Sequence, residues 1–450
     1  MSTAPTTADA DSPRELGLRR EALLRTVALS LLFMVVYGGT SYITSLRSDV
    51  GTWYYAWEKY IPFIPLMVIP YMSIDLFFVA APFLCRDRSE LRILSRRIVL
   101  GVLVAGGCFL LYPLQLGVER PSASGWIGAL WDWFKGMDRP YNLLPSLHIT
   151  LRTILADLYV RKTARLARLA THVWFSLIGF STLFTWQHHV VDVIGGFILA
   201  TLCFYLVSDV PWRLPVVPNP TIGWRYAAIS VVLFTLATIS WPWGAILIWP
   251  AVSVAILTAG YFALGPSVFR KQGGRLRLSA KIVMAPVLVA QYLSLRYYQR
   301  QCNAWDAVAT NVWLGRALTE AEAAEAVRQG VTAVVDLSNE FSEPAPFLAA
   351  NYRHLPVLDL TAPTQAQLVE AASFIEQEAE RGVVYVHCKI GYSRSAAVVA
   401  AWLLATGRAG GIEAAIAQLR TVRPTIVIRP EIRQALDNFA SAIPPHLETS

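Results

Sequence analysis

Charge is scarce in this chain. Asp, Glu, Lys and Arg together make up 16% of the 450 residues, whereas hydrophobic residues make up 55% and include 15 Trp. That balance excludes an ordinary soluble protein. Cysteine is scarce too. The five (Cys85, Cys108, Cys203, Cys302, Cys388) are odd in number and widely spaced, so no disulfide framework and no metal-ligand spacing is visible. Neither a metal nor another cofactor is implied. A formal net charge of +8 invites a nucleic-acid partner. Most of that charge, however, lies in short clusters between apolar runs, the pattern of a positive-inside membrane protein. The expected partner is therefore the membrane and not a nucleic acid.

What the chain has instead is long apolar runs. Stretches able to cross a bilayer fall near 24–45, 61–84, 98–116, 169–187, 191–209, 225–241 and 244–264. A shorter one, 147–160, is interrupted by Arg152 and Asp157, and a ninth, 282–298, contains Pro286, Gln291 and Arg296. In hydrocarbon such runs must be helices, because their backbone groups have no other partners. Residues 1–22, rich in Ser, Thr, Ala and Arg, read as a disordered tail, and the apolar run that follows is too long for a signal-peptide core. Arg14, Arg19, Arg20 and Arg25 precede the first span. Arg86, Arg88, Arg92, Arg96 and Arg97 follow the second, and Arg161, Lys162, Arg165 and Arg168 follow the fourth. Alternation makes all three segments cytoplasmic, with the N-terminus inside.

After about residue 300 short β-rich runs (331–337, 352–358, 383–387) alternate with helical patterns (319–328, 364–380, 394–406, 411–422, 431–441). Such alternation predicts a compact α/β domain. The expected organisation is a tail (1–22), a helical membrane domain (23–210), additional membrane helices and linker (211–300) and the α/β domain (301–445).

Two polar islands interrupt the membrane half. Pro145-Ser146-Leu147-His148 enters the fourth span, and Gln187-His188-His189-Val190-Val191-Asp192 joins the fifth to the sixth. Loop charge puts both at the outer face. On a helix, His188 and Asp192 would stack four residues apart. The carboxylate would fix the imidazole tautomer and free the other nitrogen to attack phosphorus. His148 could serve as general acid, and Ser146 with Arg120 or Arg139 could neutralise phosphate oxygens. His189, three residues from Asp192, is a rival nucleophile. Lone histidines of this kind are commonly helix caps, but ionisable groups inside a membrane bundle are costly and usually functional. Asp75 stands alone in the second span and reads equally well as a structural hydrogen-bonder.

The sharpest signal is His387-Cys388-Lys389-Ile390-Gly391-Tyr392-Ser393-Arg394-Ser395, directly after Val383-Val384-Tyr385-Val386 and before Ala396-Ala397-Val398-Val399. A Cys-x5-Arg loop between strand and helix turns the backbone N–H groups of residues 389–393 (Lys389, Ile390, Gly391, Tyr392, Ser393) inward, over a helix N-terminus, as a cradle for a phosphate dianion. The same field favours thiolate at Cys388. Cys388 would attack phosphorus, Arg394 would grip two equatorial oxygens, and Ser395 would assist departure of the sulfur. Asp359, at the start of a loop after a strand, is the candidate acid; Asp336, at a strand end, reads as a core-ordering rival. His387 reads as a buttress of the loop.

These motifs carry two resemblances. Pro145-Ser146-x-His148 and His188-x3-Asp192 resemble the type-2 phosphatidic acid phosphatase superfamily over roughly 50–210, above all its inositol-phosphorylceramide and sphingomyelin synthase-like branch. The resemblance implies a six-helix core, a phosphohistidine at His188, His148 as acid and Asp192 as orienter. The usual Lys-x6-Arg-Pro element is absent, because Arg120-Pro121 and Arg139-Pro140 lack the lysine, and Ser181-Thr182 stands where Ser-Arg is usual. Hydrolysis and headgroup transfer both stay open. Residues 310–441 resemble the dual-specificity phosphatases through Asn311–Arg316, the Gly330–Asp336 strand, the cysteine loop and Val422-Arg423-Pro424. The loop itself is similar to that of the phosphatidylglycerophosphate phosphatase-like branch.

The expected protein is thus a multi-pass membrane phosphatase with two phosphoryl-transfer sites acting on phospholipids or phosphorylated headgroups. A membrane-anchored protein tyrosine/serine phosphatase, with a phosphoprotein as partner, is the alternative. If run 282–298 spans the bilayer the cysteine domain lies outside; if it lies flat the domain is cytoplasmic, where a lone reactive thiolate is safer from oxidation. We expect the cytoplasm.

Overall fold

A computed structural model describes residues 13–137, 139–208, 212, 218–241 and 243–442. By internal contacts the chain divides into two compact units, Met1–Asp209 and Val210–Ser450. Among the described residues, five helical segments are long and apolar enough to cross a membrane: Leu16–Ser45, Pro65–Leu84, Arg88–Leu111, Pro220–Ile239 and Trp243–Phe269.

The first unit is helical. α1 (Pro13–Phe33) runs through a π-helical stretch into α2 (Gly39–Ser45). It is followed by α3 (Val68–Ala80), α4 (Arg88–Leu111), α5 (Gly125–Met137), α6 (Leu147–Lys162), α7 (Arg168–Phe184) and α8 (Val190–Leu206). α1 begins ten residues before the end of the expected disordered tail, whose first twelve residues lie outside the described ones. The reason is packing: Ala22 is buried among α3 and α4 side chains, and Glu21 pairs with Arg25 and Arg88, each at 3.2 Å. α5, in a segment expected to be loop, is amphipathic and buries Trp131 and Phe134 against Val68 and Tyr71. Asp87 caps α4, accepting from Ser89 N at 2.8 Å and Glu90 N at 2.9 Å. α6 and α8 approach closely because Gly196 lacks a Cβ, which would lie 2.6 Å from Ser146 O.

The second unit joins two apolar helices to an α/β domain. α9 (Pro220–Ile239) is capped by Asn219 and pairs with α10 (Ile248–Ala259), which continues as a π turn over Gly260–Leu264. A hairpin, β1 (Lys271–Gln272) and β2 (Arg275–Leu276), leads into α11 (Leu278–Val283) and α12 (Ala285–Tyr298). The sheet then comprises β3 (Trp305–Ala309), β4 (Val312–Gly315), β5 (Val331–Asp336), β6 (Asn351–His354) and β7 (Val383–His387). Their order is β3-β4-β7-β5-β6, antiparallel between β3 and β4 and parallel elsewhere. Strand alternation sends Val384 and Val386 to one face, under α15 (Gln365–Ala379), α16 (Arg394–Ala405), α17 (Ile412–Val422) and α18 (Pro430–Ala442). Tyr385 and Val334 go to the other, under α13 (Glu320–Arg328) and α14 (Ala345–Ala349). β6 stops short of the expected 352–358, where Pro356 cannot donate to a ladder.

The ninth apolar run is not among the helical segments long and apolar enough to cross a membrane; it is divided between α11 and α12. Before it, Leu276 N donates to Ser342 Oγ at 3.0 Å and Lys271 Nζ to Asp336 Oδ2 at 2.5 Å. After it the chain enters β3 of the same domain. Both ends are fixed to one body, and between them Gln291 bonds Lys389 and Leu295 packs with Ala317 and Ile390 of that body.

Lys271 belongs to a buried cluster with Asp336, Glu343 and His387. Its ammonium also reaches Glu343 Oε1 at 3.1 Å, and His387 Nε2 lies 3.3 Å from Glu343 Oε2. Asp336, Glu343 and His387 are potential metal ligands by type and spacing, but the ammonium bonded to both carboxylates supplies the countercharge. Asp336 also accepts from Ser338 N at 2.7 Å and Tyr352 Oη at 2.6 Å, so it orders the core as its strand-end position suggests. Burial alone would lower the His387 imidazole, yet Glu343 and Asp336 outweigh it and lift it to about 9. Two results are expected. Lys271→Met leaves two carboxylates short of a cation and should cost roughly 3–5 kcal/mol of stability, read as a lowered unfolding midpoint in detergent. Because the folded pKa is raised, His387 contributes fully below its unfolded value of about 6.5. The wild-type midpoint should fall as pH rises through 9, and His387→Gln should remove that fall.

Candidate active site

β7 is buried along its whole length and ends at His387; the chain then turns through residues 388–393 and enters α16 at Arg394. Gly391 permits the turn. Its φ is +79°, and a Cβ there would sit 2.5 Å from Gly315 O. The outward carbonyls of the loop are held by one side chain: Arg423 Nε donates to Gly391 O at 3.1 Å and Nη2 to Ile390 O at 2.9 Å, while Nη1 pairs with Asp306 at 2.5 Å. With the carbonyls occupied outside, N–H groups are left for the inside. Gly391 N and Ser395 Oγ each donate to Cys388 Sγ at 3.3 Å. Burial pushes the thiol up, but the Arg394 charge and these hydrogen bonds outweigh it, so the thiol is held below its ordinary value.

Arg394 is almost wholly buried. Nη1 donates to Val357 O at 2.8 Å and pairs with Glu340 Oε1 at 3.1 Å, and Nη2 lies 3.3 Å from Asp359 Oδ1. Lys389 Nζ donates to Asp359 Oδ2 at 2.7 Å and to Gln291 Oε1 at 2.7 Å. Burial pushes the Asp359 carboxyl up, but Arg394 and Lys389 prevail and hold it at about 2. The structure therefore brings Cys388, Lys389, Gly391, Arg394, Ser395 and Asp359 together. Ile390 and Tyr392 contribute loop backbone, and Ser393 stands at the N-cap of α16. Glu340 and Gln291 were not read from the sequence. Glu340 carries no motif beyond being an acid shortly after a strand, and Gln291 was noted only as a polar interruption of an apolar run. A dianion in this loop would face backbone donors and two cations, with a carboxylic acid beside its leaving oxygen.

In the membrane unit the two polar islands do meet. Ser146 N donates to Asp192 O at 3.0 Å, and Ser146 Oγ caps α6 by accepting from Ile149 N at 3.3 Å. His148 and His188 line one cavity of about 400 Å³, together with Tyr37, Asp75 and Asn142. The His148 ring stacks on Tyr71 with centroids 4.1 Å apart.

Three expectations need correction. His188 and Asp192 do not share a helix, because α8 begins at Val190; Asp192 spends Oδ2 on capping His189 N at 2.8 Å and lies 3.6 Å from His188 Nδ1. His189, the rival nucleophile, has both ring nitrogens engaged. Its Nε2 accepts from Gly117 N at 3.1 Å, which puts its proton on Nδ1, 3.0 Å from Glu58 Oε2. Finally, neither Arg120 nor Arg139 is among the residues lining the cavity. Arg139 Nη1 donates instead to Ser45 Oγ at 2.8 Å, with the guanidinium over Tyr42.

Comparison with known proteins bears on the second unit. Residues 312–441 match the dual specificity phosphatase catalytic domain family. The phosphatidylglycerophosphate phosphatase PTPMT2 of Arabidopsis thaliana is 27% identical over 177 residues, covering 38% of this chain and 77% of that protein. The phosphatidylglycerophosphatase and protein-tyrosine phosphatase 1 of Mus musculus is 38% identical over 91 residues, 20% of this chain and 47% of that protein. Among solved structures, PTPMT1 in complex with PI(5)P is 26% identical, with a TM-score of 0.30 covering 31% of this chain and 97% of that one. Tk-PTP in its active form is 28% identical, with a TM-score of 0.30 and coverage of 31% and 99%. The C-terminal part of the chain carries a dual-specificity phosphatase catalytic domain whose relatives include the PTPMT phosphatases.

Proposed function

We propose that this chain is an integral-membrane phosphatase whose cysteine site hydrolyses phosphomonoesters of lipid headgroups through a cysteinyl-phosphate. The observation that carries the reading is the Cys388 thiol, held low at the bottom of an amide cradle with Arg394 at its rim and Asp359 beside it. Cys388 Sγ attacks phosphorus as the ester P–O bond breaks, and the departing oxygen takes its proton from Asp359. Arg394 and the loop amides hold the phosphoryl oxygens. Water, deprotonated by Asp359, then attacks the phosphocysteine, and Ser395 and Gly391 N–H stabilise the leaving thiolate. Beside Arg394 and Lys389, Asp359 is ionised. A bound dianion takes over their charge, so substrate binding brings the carboxyl its proton.

Lipid is the favoured substrate class because the matched Arabidopsis and mouse proteins are named for phosphatidylglycerophosphate and the domain is continuous with apolar helices. The cysteine domain belongs on the cytoplasmic side. Arg213 and Arg225 flank the start of the α9–α10 hairpin and Arg270, Lys271, Arg275 and Arg277 follow its end, while its turn, 240–243, has no basic residue.

A second site is favoured by the convergence of His148 and His188 on one cavity. We assign His188 as nucleophile, His148 as acid and Asp192 as orienter, in keeping with the type-2 phosphatidic acid phosphatase resemblance. Among the described residues the cavity lining includes no Lys or Arg. A singly charged phosphodiester suits it better than a monoester dianion, which favours headgroup transfer over monoester hydrolysis.

Two outcomes test these roles on the full-length protein in lipid vesicles. Cys388→Ser should lower phosphate release from lipid monoesters more than about a thousandfold, while His188→Ala should remove a separate phosphodiester-exchange activity. Release surviving in Cys388→Ser contradicts the cysteine mechanism, and a protein phosphatase alone would turn over phosphopeptides but no lipid. Asp359→Asn should cost about 10²–10⁴-fold on an alkyl phosphate, whose alkoxide needs a proton, and far less on p-nitrophenyl phosphate. Equal losses on both would remove Asp359 from the acid role.

A further inference from the structure

The loop that carries Asp359 is not held by the phosphatase domain alone. Tyr261, in the π turn that ends α10, donates its hydroxyl to Asp359 O at 2.9 Å. Asn219, the cap of α9, donates Nδ2 to Leu360 O at 2.9 Å and its backbone N to Tyr261 O at 3.1 Å. Leu360 sits at φ +60°, a conformation that L-residues seldom adopt, so these bonds fix a strained turn. The start of one apolar helix and the end of the other thus form a wall on the acid side of the cysteine site. Neither Tyr261 nor Asn219 falls within 312–441, the matched catalytic domain.

Tyr226 completes that wall. It lies about 9 Å along α9 from its start, and its ring stacks on Tyr261 with centroids 5.4 Å apart and planes 10° from parallel. The charges of Asp359, Lys389 and Glu340 act on its phenol. Tyr261 uses its hydroxyl on the loop, whereas Tyr226, half-buried, has no hydrogen-bond partner among the described residues. Stacked on the tyrosine that bonds Asp359 O, this unused phenolic donor and acceptor is held on the acid side of the site.

We propose that Tyr226 is the specificity residue for the leaving group, hydrogen-bonding a free hydroxyl of a polyol headgroup whose phosphate sits in the cysteine loop. This rests on the lipid-phosphatase reading and sharpens it: a headgroup with a hydroxyl near the scissile ester is preferred over one without. Tyr261 has a different task, positioning Asp359 for every substrate.

The test uses full-length protein in phosphatidylcholine vesicles carrying either phosphatidylglycerophosphate, which has a free glycerol hydroxyl beside its monoester, or phosphatidic acid, which has none. In Tyr226→Phe the ratio of kcat/KM between the two lipids should fall about tenfold, the equivalent of roughly 1.4 kcal/mol. The ring and its stack survive that change, so folding is spared. Tyr261→Phe should lower kcat on both lipids and leave the ratio near the wild-type value. A ratio unmoved by Tyr226→Phe overturns the assignment even if both lipids are good substrates. Wild-type activity on phosphotyrosine peptide but on neither lipid overturns the lipid reading itself, and this assignment with it.

Discussion

The cysteine site depends on one buried guanidinium. Arg394 is tied to Glu340 and to Val357 O on one side and faces Asp359 on the other. Its charge, after burial, is the largest influence on both Cys388 and Asp359. A cation so enclosed would be costly without its carboxylates, and the carboxylates would be costly without it. The arrangement leaves an unliganded site that is electrically closed on itself. A phosphate dianion opens it by substituting for Asp359 as the partner of Arg394 and Lys389.

The second constraint is mechanical. A loop that supplies a general acid must place it within a fraction of an ångström, and here the placement comes from residues on three sides of the catalytic sequence. Tyr261 and Asn219 hold the loop from the apolar hairpin, Gln291 holds Lys389 from α12, and Lys271 ties the hairpin after α10 to the base of β5. The apolar helices of the second unit therefore touch the loop that carries the proposed acid. Substrate in a leaflet beside such helices is held near the site at high effective concentration, with no tether beyond the bilayer.

Much of this was legible in the sequence because it is local. The cysteine loop is contiguous, and strand, turn and helix signals surround it, so Cys388, Arg394 and Ser395 could be placed together from nine residues. Asp359 was readable from its position after a strand. What could not be read depends on partners far along the chain. Nothing near His189 reveals that Glu58 and Gly117 occupy both its nitrogens. The periodicity that put His188 and Asp192 on one helix overlooked that Asp192, third residue of α8, is wanted by the backbone as a cap. Run 282–298 reads as apolar in sequence, and its contacts with the phosphatase core, Gln291 with Lys389 and Leu295 with Ile390, come from partners about a hundred residues on. The helix over 13–22 was hidden by a composition that reads as tail until Ala22 finds a buried neighbourhood.

The central claim is a covalent phosphate on Cys388. It is tested most directly by acid-quenching the full-length protein during turnover of a lipid phosphomonoester radiolabelled in its phosphate, then mapping the label. A thiophosphate survives acid, whereas a phosphohistidine does not. The account predicts label on the peptide that contains Cys388, chased off by unlabelled substrate and absent in Cys388→Ser. Steady turnover with no label on that peptide, or label that persists in Cys388→Ser, would contradict it.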